Sequence, residues 1–137
     1  MADYLLDTNH LSTMVTEKHP VRLRIQRQLR FGDTFAIATP TLTEMLYGIQ
    51  MLPRARRNIA DWHQLSVMFD YYAIERSDAE QAATLQVILR HQGWQLATVD
   101  ALMAAIALRY DLVLLTADND FNRVAGLRYE NWFSNPA

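Results

Sequence analysis

The 137-residue chain has no cysteine, which excludes a disulfide framework, a thiolate zinc site and a cysteine nucleophile together. Lys18 is its sole lysine, so nearly all the positive charge is arginine. A formal net charge of −2 provides no whole-chain electrostatic footprint for nucleic acid. No apolar run reaches the roughly 20 residues of a membrane span. The opening Met1-Ala2-Asp3-Tyr4 lacks the basic region of a signal peptide. Together these absences lead us to expect a cytoplasmic protein with no membrane partner. Repeats, low-complexity tracts and Pro/Gly/Ser linkers are missing too, with only 4 glycines and 4 prolines in the chain.

What is present suffices for a core. Half of the residues are apolar, and a domain of about 150 residues buries roughly 70% of its unfolded surface. A single domain over residues 1–137 is expected. Short apolar runs rich in aromatic or β-branched residues read as strands at Tyr4–Leu6, Phe35–Ala38, Tyr71–Ile74 and Leu112–Leu115, with a weaker fifth at Leu127–Tyr129. Between them lie helical stripes: Val21, Ile25 and Leu29, with Arg24, Arg27 and Arg30 roughly opposite, then Leu42, Met45, Ile49 and Leu52. Pro53 reads as the first residue of the next helix. Asp78 reads as the cap of a helix that runs to about His91 and is stopped by Gly93. Val99–Tyr110 is a further helix whose Ala104, Ala105 and Ala107 permit close packing. Alternating strands and helices imply a three-layer α/β/α domain with a central, mostly parallel sheet. In such sheets ligands bind outside the carboxyl ends of the strands, where the strand order reverses.

That rule draws attention to acids. Asp7 directly follows the first strand, and Asp118 follows the fourth across Thr116-Ala117. Glu44 and Asp100 fall in the first turns of their predicted helices, Thr41–Leu52 and Val99–Tyr110, and helix starts face the same sheet edge. Carboxylates brought together repel unless a cation neutralises them, and oxygen donors suit hard ions such as magnesium and manganese. Taken singly, Asp7 also reads as a strand-end turn residue, Asp100 as a helix-dipole partner and Glu44 as a solvated acid. Asp118 and Asp120 could each cap a short turn over residues 119–124. Gly48, one turn beyond Glu44, costs its helix about 1 kcal/mol relative to Ala, which is explained by the close approach of a ligand or by helix packing. The four histidines, His10, His19, His63 and His91, show no metal-ligand spacing.

Four strings together resemble PIN-domain toxins of the VapC type. They are Tyr4-Leu5-Leu6-Asp7-Thr8-Asn9 with Ser12, Thr41-Leu42-Thr43-Glu44-Met45-Leu46-Tyr47-Gly48-Ile49, Asp100-Ala101-Leu102-Met103-Ala104-Ala105-Ile106-Ala107, and Leu114-Leu115-Thr116-Ala117-Asp118-Asn119-Asp120-Phe121. The likeness continues through Arg123-Val124, Gly126-Leu127 and Asn131-Trp132. One string would be weak, and four in order are specific. The resemblance implies the PIN sandwich, with Asp7, Glu44, Asp100 and Asp118 as acidic metal-site residues. Asn9 and Thr116 would orient them, and Asp120 would contribute through a water. It further implies Mg2+- or Mn2+-dependent cleavage of RNA, a small cognate antitoxin, and a toxin homodimer that can join a larger toxin–antitoxin complex. A catalytically silent PIN-like module that binds protein or RNA is the alternative. A receiver-like phosphoryl-transfer domain fits poorly, because such designs pair acids after the first strand or rely on a late lysine. The segment Gly93–Val99 departs from the polar loop expected there. Apolar faces of the Val21–Phe31 and Thr41–Leu52 helices are the surfaces suggested for the antitoxin, and Arg54, Arg56 and Arg57 the better basic cluster for phosphate.

Overall fold

Apolar residues on both faces of the three central strands require cover on both sides of the sheet, and the computed structural model, which describes residues 1–134, has that architecture. Five strands, β1 (Asp3–Leu6), β2 (Thr34–Ala38), β3 (Asp70–Tyr72), β4 (Val113–Leu115) and β5 (Tyr129–Glu130), form one sheet in the order β3-β2-β1-β4-β5. All four pairings are parallel. Tyr4, Leu6, Phe35, Ile37, Val113 and Leu115 face one core, while Leu5, Ala36, Ala38 and Leu114 face the other. This is the period-2 alternation of a strand, with both phases apolar.

The first face is covered by α1 (Thr8–Leu11), α2 (Pro20–Arg30), α3 (Thr39–Gln50) and α4 (Ala55–Leu65). The second is covered by α5 (Arg76–His91) and α6 (Thr98–Arg109). Ala101, Ala104, Ala105 and Ala107 are fully or almost fully buried. Their small side chains let α6 lie close to α5 and the sheet. Among the described residues no helix is long and apolar enough to cross a membrane.

Several local expectations shift. Glu44 lies in the second turn of α3, because that helix already starts at Thr39. Pro53 stays in the turn before α4, whose entry is Arg54 in the left-handed region at φ 64°. The Asn58 side chain holds that turn by donating to the carbonyls of Ile49 (3.1 Å) and Pro53 (3.3 Å). Leu52 therefore falls beyond α3 and is exposed. Asp78 is the third residue of α5 and makes a reciprocal capping box with Glu75, the actual cap. It is buried because Arg109 donates to both its oxygens at 3.2 Å. Strand β3 ends at Tyr72 and β5 starts at Tyr129, each displaced from its predicted run.

Gly93 does end α5. At φ +79° it gives a Schellman turn in which Gly93 N–H donates to Arg90 O and Trp94 N–H to Leu89 O. The apolar character of the following segment has a core explanation: Leu96 is buried and Trp94 packs against the same cluster.

Candidate active site

Strand order reverses between β1 and β4, so the crevice of an open α/β sheet should open at their carboxyl ends. Asp7 leaves β1 there and is tied across to β4 by its N–H on Leu115 O at 2.9 Å. Its carboxylate is held by three donors. Oδ1 accepts from Thr8 N–H (2.8 Å), whereas Oδ2 accepts from the Thr116 hydroxyl (2.8 Å) and the Asn9 amide (3.4 Å). Thr116 passes the order along, its Oγ1 accepting from Asp118 N–H at 3.0 Å. Asp118 caps the 3-10 turn Asn119–Arg123 by accepting from Asp120 N–H at 2.9 Å.

Two helices bring the remaining acids. Asp100 is in the first turn of α6. Glu44, from α3, accepts from the Thr8 hydroxyl at 3.4 Å. The two helices meet behind the site, where the buried Thr41 hydroxyl lies 3.1 Å from Met103 Sδ.

Carboxylate oxygens of Asp100, Asp118 and Asp120 lie within 4.8 Å of one another. Asp7 and Glu44 stand outside that tight trio yet still act on Asp100. Burial, then Asp7, Asp118, Asp120 and Glu44 in descending order, push its pKa from the ordinary carboxylate value up to about 6. Five acids thus share one electrostatic site. Sequence reasoning placed Asp120 at its margin, whereas the geometry groups it with Asp100 and Asp118. The donor set is all oxygen and strongly negative, with no thiolate available, which fits a hard divalent cation.

Other predicted features lie elsewhere or serve the core. Arg24, opposite the apolar stripe of α2, is half-buried, with its guanidinium 3.7 Å from the Trp132 ring centroid and its Nε donating to Gln28, so it is packed and not held out in solvent. Trp132 and Trp62 are buried, and Trp94 lies under Arg123 at 4.5 Å. Arg54 and Arg57 line a cleft with Glu17 and Asp61 at the α3–α4 turn. Outside its chain neighbours and the backbone of its own helix, no atom lies within 4 Å of where a Cβ on Gly48 would stand, so packing against another element of this chain does not explain that glycine. The apolar stripes of α2 and α3 face the core through Val21, Ile25, Met45 and Ile49, leaving Leu23, Phe31, Tyr47 and Met51 exposed.

Two residues escaped sequence reasoning. Thr8 links Asp7 to Glu44, and His10, noted only for lacking a metal spacing, lies buried behind Asn9. Position next to Asp7 was the one available signal for Thr8.

Comparison with known proteins identifies the family and the fold. The PIN domain family model matches residues 4–127. A tRNA(fMet)-specific endonuclease VapC of Shigella flexneri is 27% identical over 133 residues, covering 96% of this chain and 99% of the relative. A ribonuclease VapC2 of Haemophilus influenzae is 28% identical over 136 residues, with the same coverage. Among solved structures, VapBC2 from Rickettsia felis bound to a promoter DNA fragment superposes with a TM-score of 0.82 at 21% identity, covering 95% of this chain and 98% of that one. DNA-bound VapBC from Salmonella typhimurium gives 0.80 at 24% identity, covering 96% and 99%. At such identities the structures speak for the fold. With the family model spanning nearly the whole chain, and the acids gathered at the reversal of strand order, the protein belongs to the PIN-domain family and is of its VapC type.

Proposed function

We propose that this chain is a divalent-metal-dependent endoribonuclease, the toxin of a toxin–antitoxin pair. The observation that carries the reading is the convergence of Asp100, Asp118 and Asp120 within 4.8 Å, beside Asp7 and Glu44. Asp7, Glu44, Asp100 and Asp118 hold Mg2+ or Mn2+, with Asp120 beside them. Asn9 and Thr116 orient Asp7. When bound, the cation supplies the positive charge that eases ionisation of a water and steadies the leaving oxygen of an RNA phosphodiester. The protein's own part is to hold the acids in place beforehand. Asp7 has about four lone-pair sites, and its hydrogen bonds to Thr8, Asn9 and Thr116 leave room for a cation while preventing rotation. Held this way, the carboxylate need not reorganise on binding.

In this reading residues 1–137 work as one PIN-like unit, in the cytoplasm, as a homodimer that can enter a larger complex with the antitoxin. The relatives in solved complexes support the antitoxin as partner. An apolar groove lined by Gln26, Leu29, Arg30, Leu65 and Met68, with Phe31 exposed on α2's end, is the surface on which we place it.

Asp7→Asn tests the assignment. The amide oxygen can still accept one of the existing hydrogen bonds, so folding is retained. RNA cleavage in Mg2+ should fall at least about 100-fold, because the lost carboxylate would hold the cation itself and even a partner that merely orients such a ligand is worth about 10–100-fold. Magnesium-dependent cleavage at the wild-type rate overturns the assignment. Absence of Mn2+ binding by the wild-type protein at millimolar metal, read by calorimetry, favours instead the catalytically silent binding module.

A further inference from the structure

We propose that His10 is a positioning residue for the acidic site, acting through Asn9 to set Asp7 and anchoring that setting to the Asn131–Ser134 turn. His10 is completely buried, and both of its ring nitrogens are engaged. Trp132 N–H is a backbone donor 3.0 Å from Nε2, so Nε2 must carry the lone pair. An imidazole that accepts at Nε2 is neutral, since its protonated form donates from both nitrogens. Its single proton therefore sits on Nδ1 and is donated to Asn9 Oδ1 at 2.6 Å.

That assignment settles the Asn9 amide as well. Asn9 Oδ1 also accepts from Ala117 N–H at 3.1 Å. With two donors aimed at the same oxygen, a flipped amide would set N–H against N–H. The NH2 group is thereby turned to Asp7 Oδ2, 3.4 Å away. A chain of directed bonds thus runs from the Trp132 backbone through His10 and Asn9 to Asp7, meeting the Thr116 hydroxyl on the same carboxylate oxygen. The Phe133 ring stands edge-on to His10 at 4.8 Å between centroids and to His19 at 5.4 Å, closing the outer side.

The inference rests on reading Asp7 as a metal-site residue, and its tests separate the two. Substitution splits the two functions of the ring. His10→Asn keeps a donor at the δ position for Asn9 and gives up the acceptor for Trp132. His10→Leu removes both. Calorimetry with Mn2+ and urea unfolding are measured on each variant, alone and combined with Asn9→Ala. A partner that orients a ligand through its other face is worth about 10–100-fold in metal affinity. We expect His10→Leu to weaken Mn2+ binding about tenfold, His10→Asn to recover most of that loss while staying less stable to urea, and His10→Leu to add no loss in the Asn9→Ala background. Wild-type affinity in folded His10→Leu, affinity in His10→Asn as weak as in His10→Leu, or losses that simply add with Asn9→Ala would each overturn the proposal. Should His10→Leu not fold, nitrogen-15 NMR of the wild-type imidazole decides, with Nδ1 protonated expected and Nε2 protonated overturning it. Wild-type protein that binds no Mn2+ overturns the metal reading instead, while the NMR measurement still judges the relay.

Discussion

At the residue scale the informative group is Asp100. Its proton affinity is raised first by burial and then by four other acids, so in the metal-free protein its ionised form is held against repulsion. The sign of the consequence follows directly. Between the ordinary carboxylate pKa and about 6, the folded state binds more protons than the unfolded state, so this group's contribution to stability falls as pH rises through that window. A divalent cation reverses the repulsion, but below about pH 6 it must displace a proton. The thermal shift produced by a fixed Mn2+ concentration should thus be clearly larger at pH 7.5 than at pH 5.5, and an equal shift at both would contradict the crowding. Asp100→Asn removes the repelled charge outright. The metal-free variant should melt about 3 °C higher than wild type near neutral pH while losing most of its Mn2+ affinity. Scanning calorimetry and titration calorimetry on the same sample read both effects. A variant that melts no higher would mean that the acids do not strain the empty site.

At the scale of elements, what local pattern could reveal is set by the range of the interactions involved. Strands with both faces apolar, such as Phe35-Ala36-Ile37-Ala38, announce burial between two layers, and Gly93 announces the end of α5. Gly93→Ala leaves an open space around the new Cβ but must hold φ +79°. We expect about 1 kcal/mol lost in urea unfolding with Mn2+ affinity unchanged. A comparable loss of affinity would place the Schellman turn in control of α6. Features that depend on distant partners were not legible. Asp78 was recognisable as a helix-start acid, but its burial depends on Arg109 from α6. Arg24 lies on what reads as a polar face until Trp132 arrives from the far end of the chain. The turn after α3 is decided by Asn58 reaching back, which no preference of Pro53 discloses. Within the site, Asp7 and Asp118 were readable from sheet-edge logic. Glu44 and Asp100 drew most of their weight from the family resemblance. The tight grouping of Asp120, and the double engagement of His10, needed the folded arrangement.

For the whole molecule, the metal site and the fold are expected to be thermodynamically linked. A ligand that binds only the folded state at about one hundred times its Kd stabilises by about 2.7 kcal/mol. Urea unfolding with saturating Mn2+ should show that gain, and a chelator should remove it. An unmoved midpoint would mean that the acids bind no cation. The connectivity adds a consequence in time. The bond from Thr116 to Asp7 spans 109 positions and that from Trp132 to His10 spans 122, because β1 pairs with β4 rather than with a near neighbour alone. Closing such distant contacts is slow and comes late in folding. While the chain is still being synthesised, Asp7 emerges long before Asp118 and Trp132, so no nascent fragment carries a finished centre. A polypeptide released early, before β4, lacks Asp118 and Asp120 and the strand pairing that would position the other acids. Cleavage is therefore expected of the finished chain and not of a fragment that stops short of its last acids, so the cell should meet the activity only as a completed molecule.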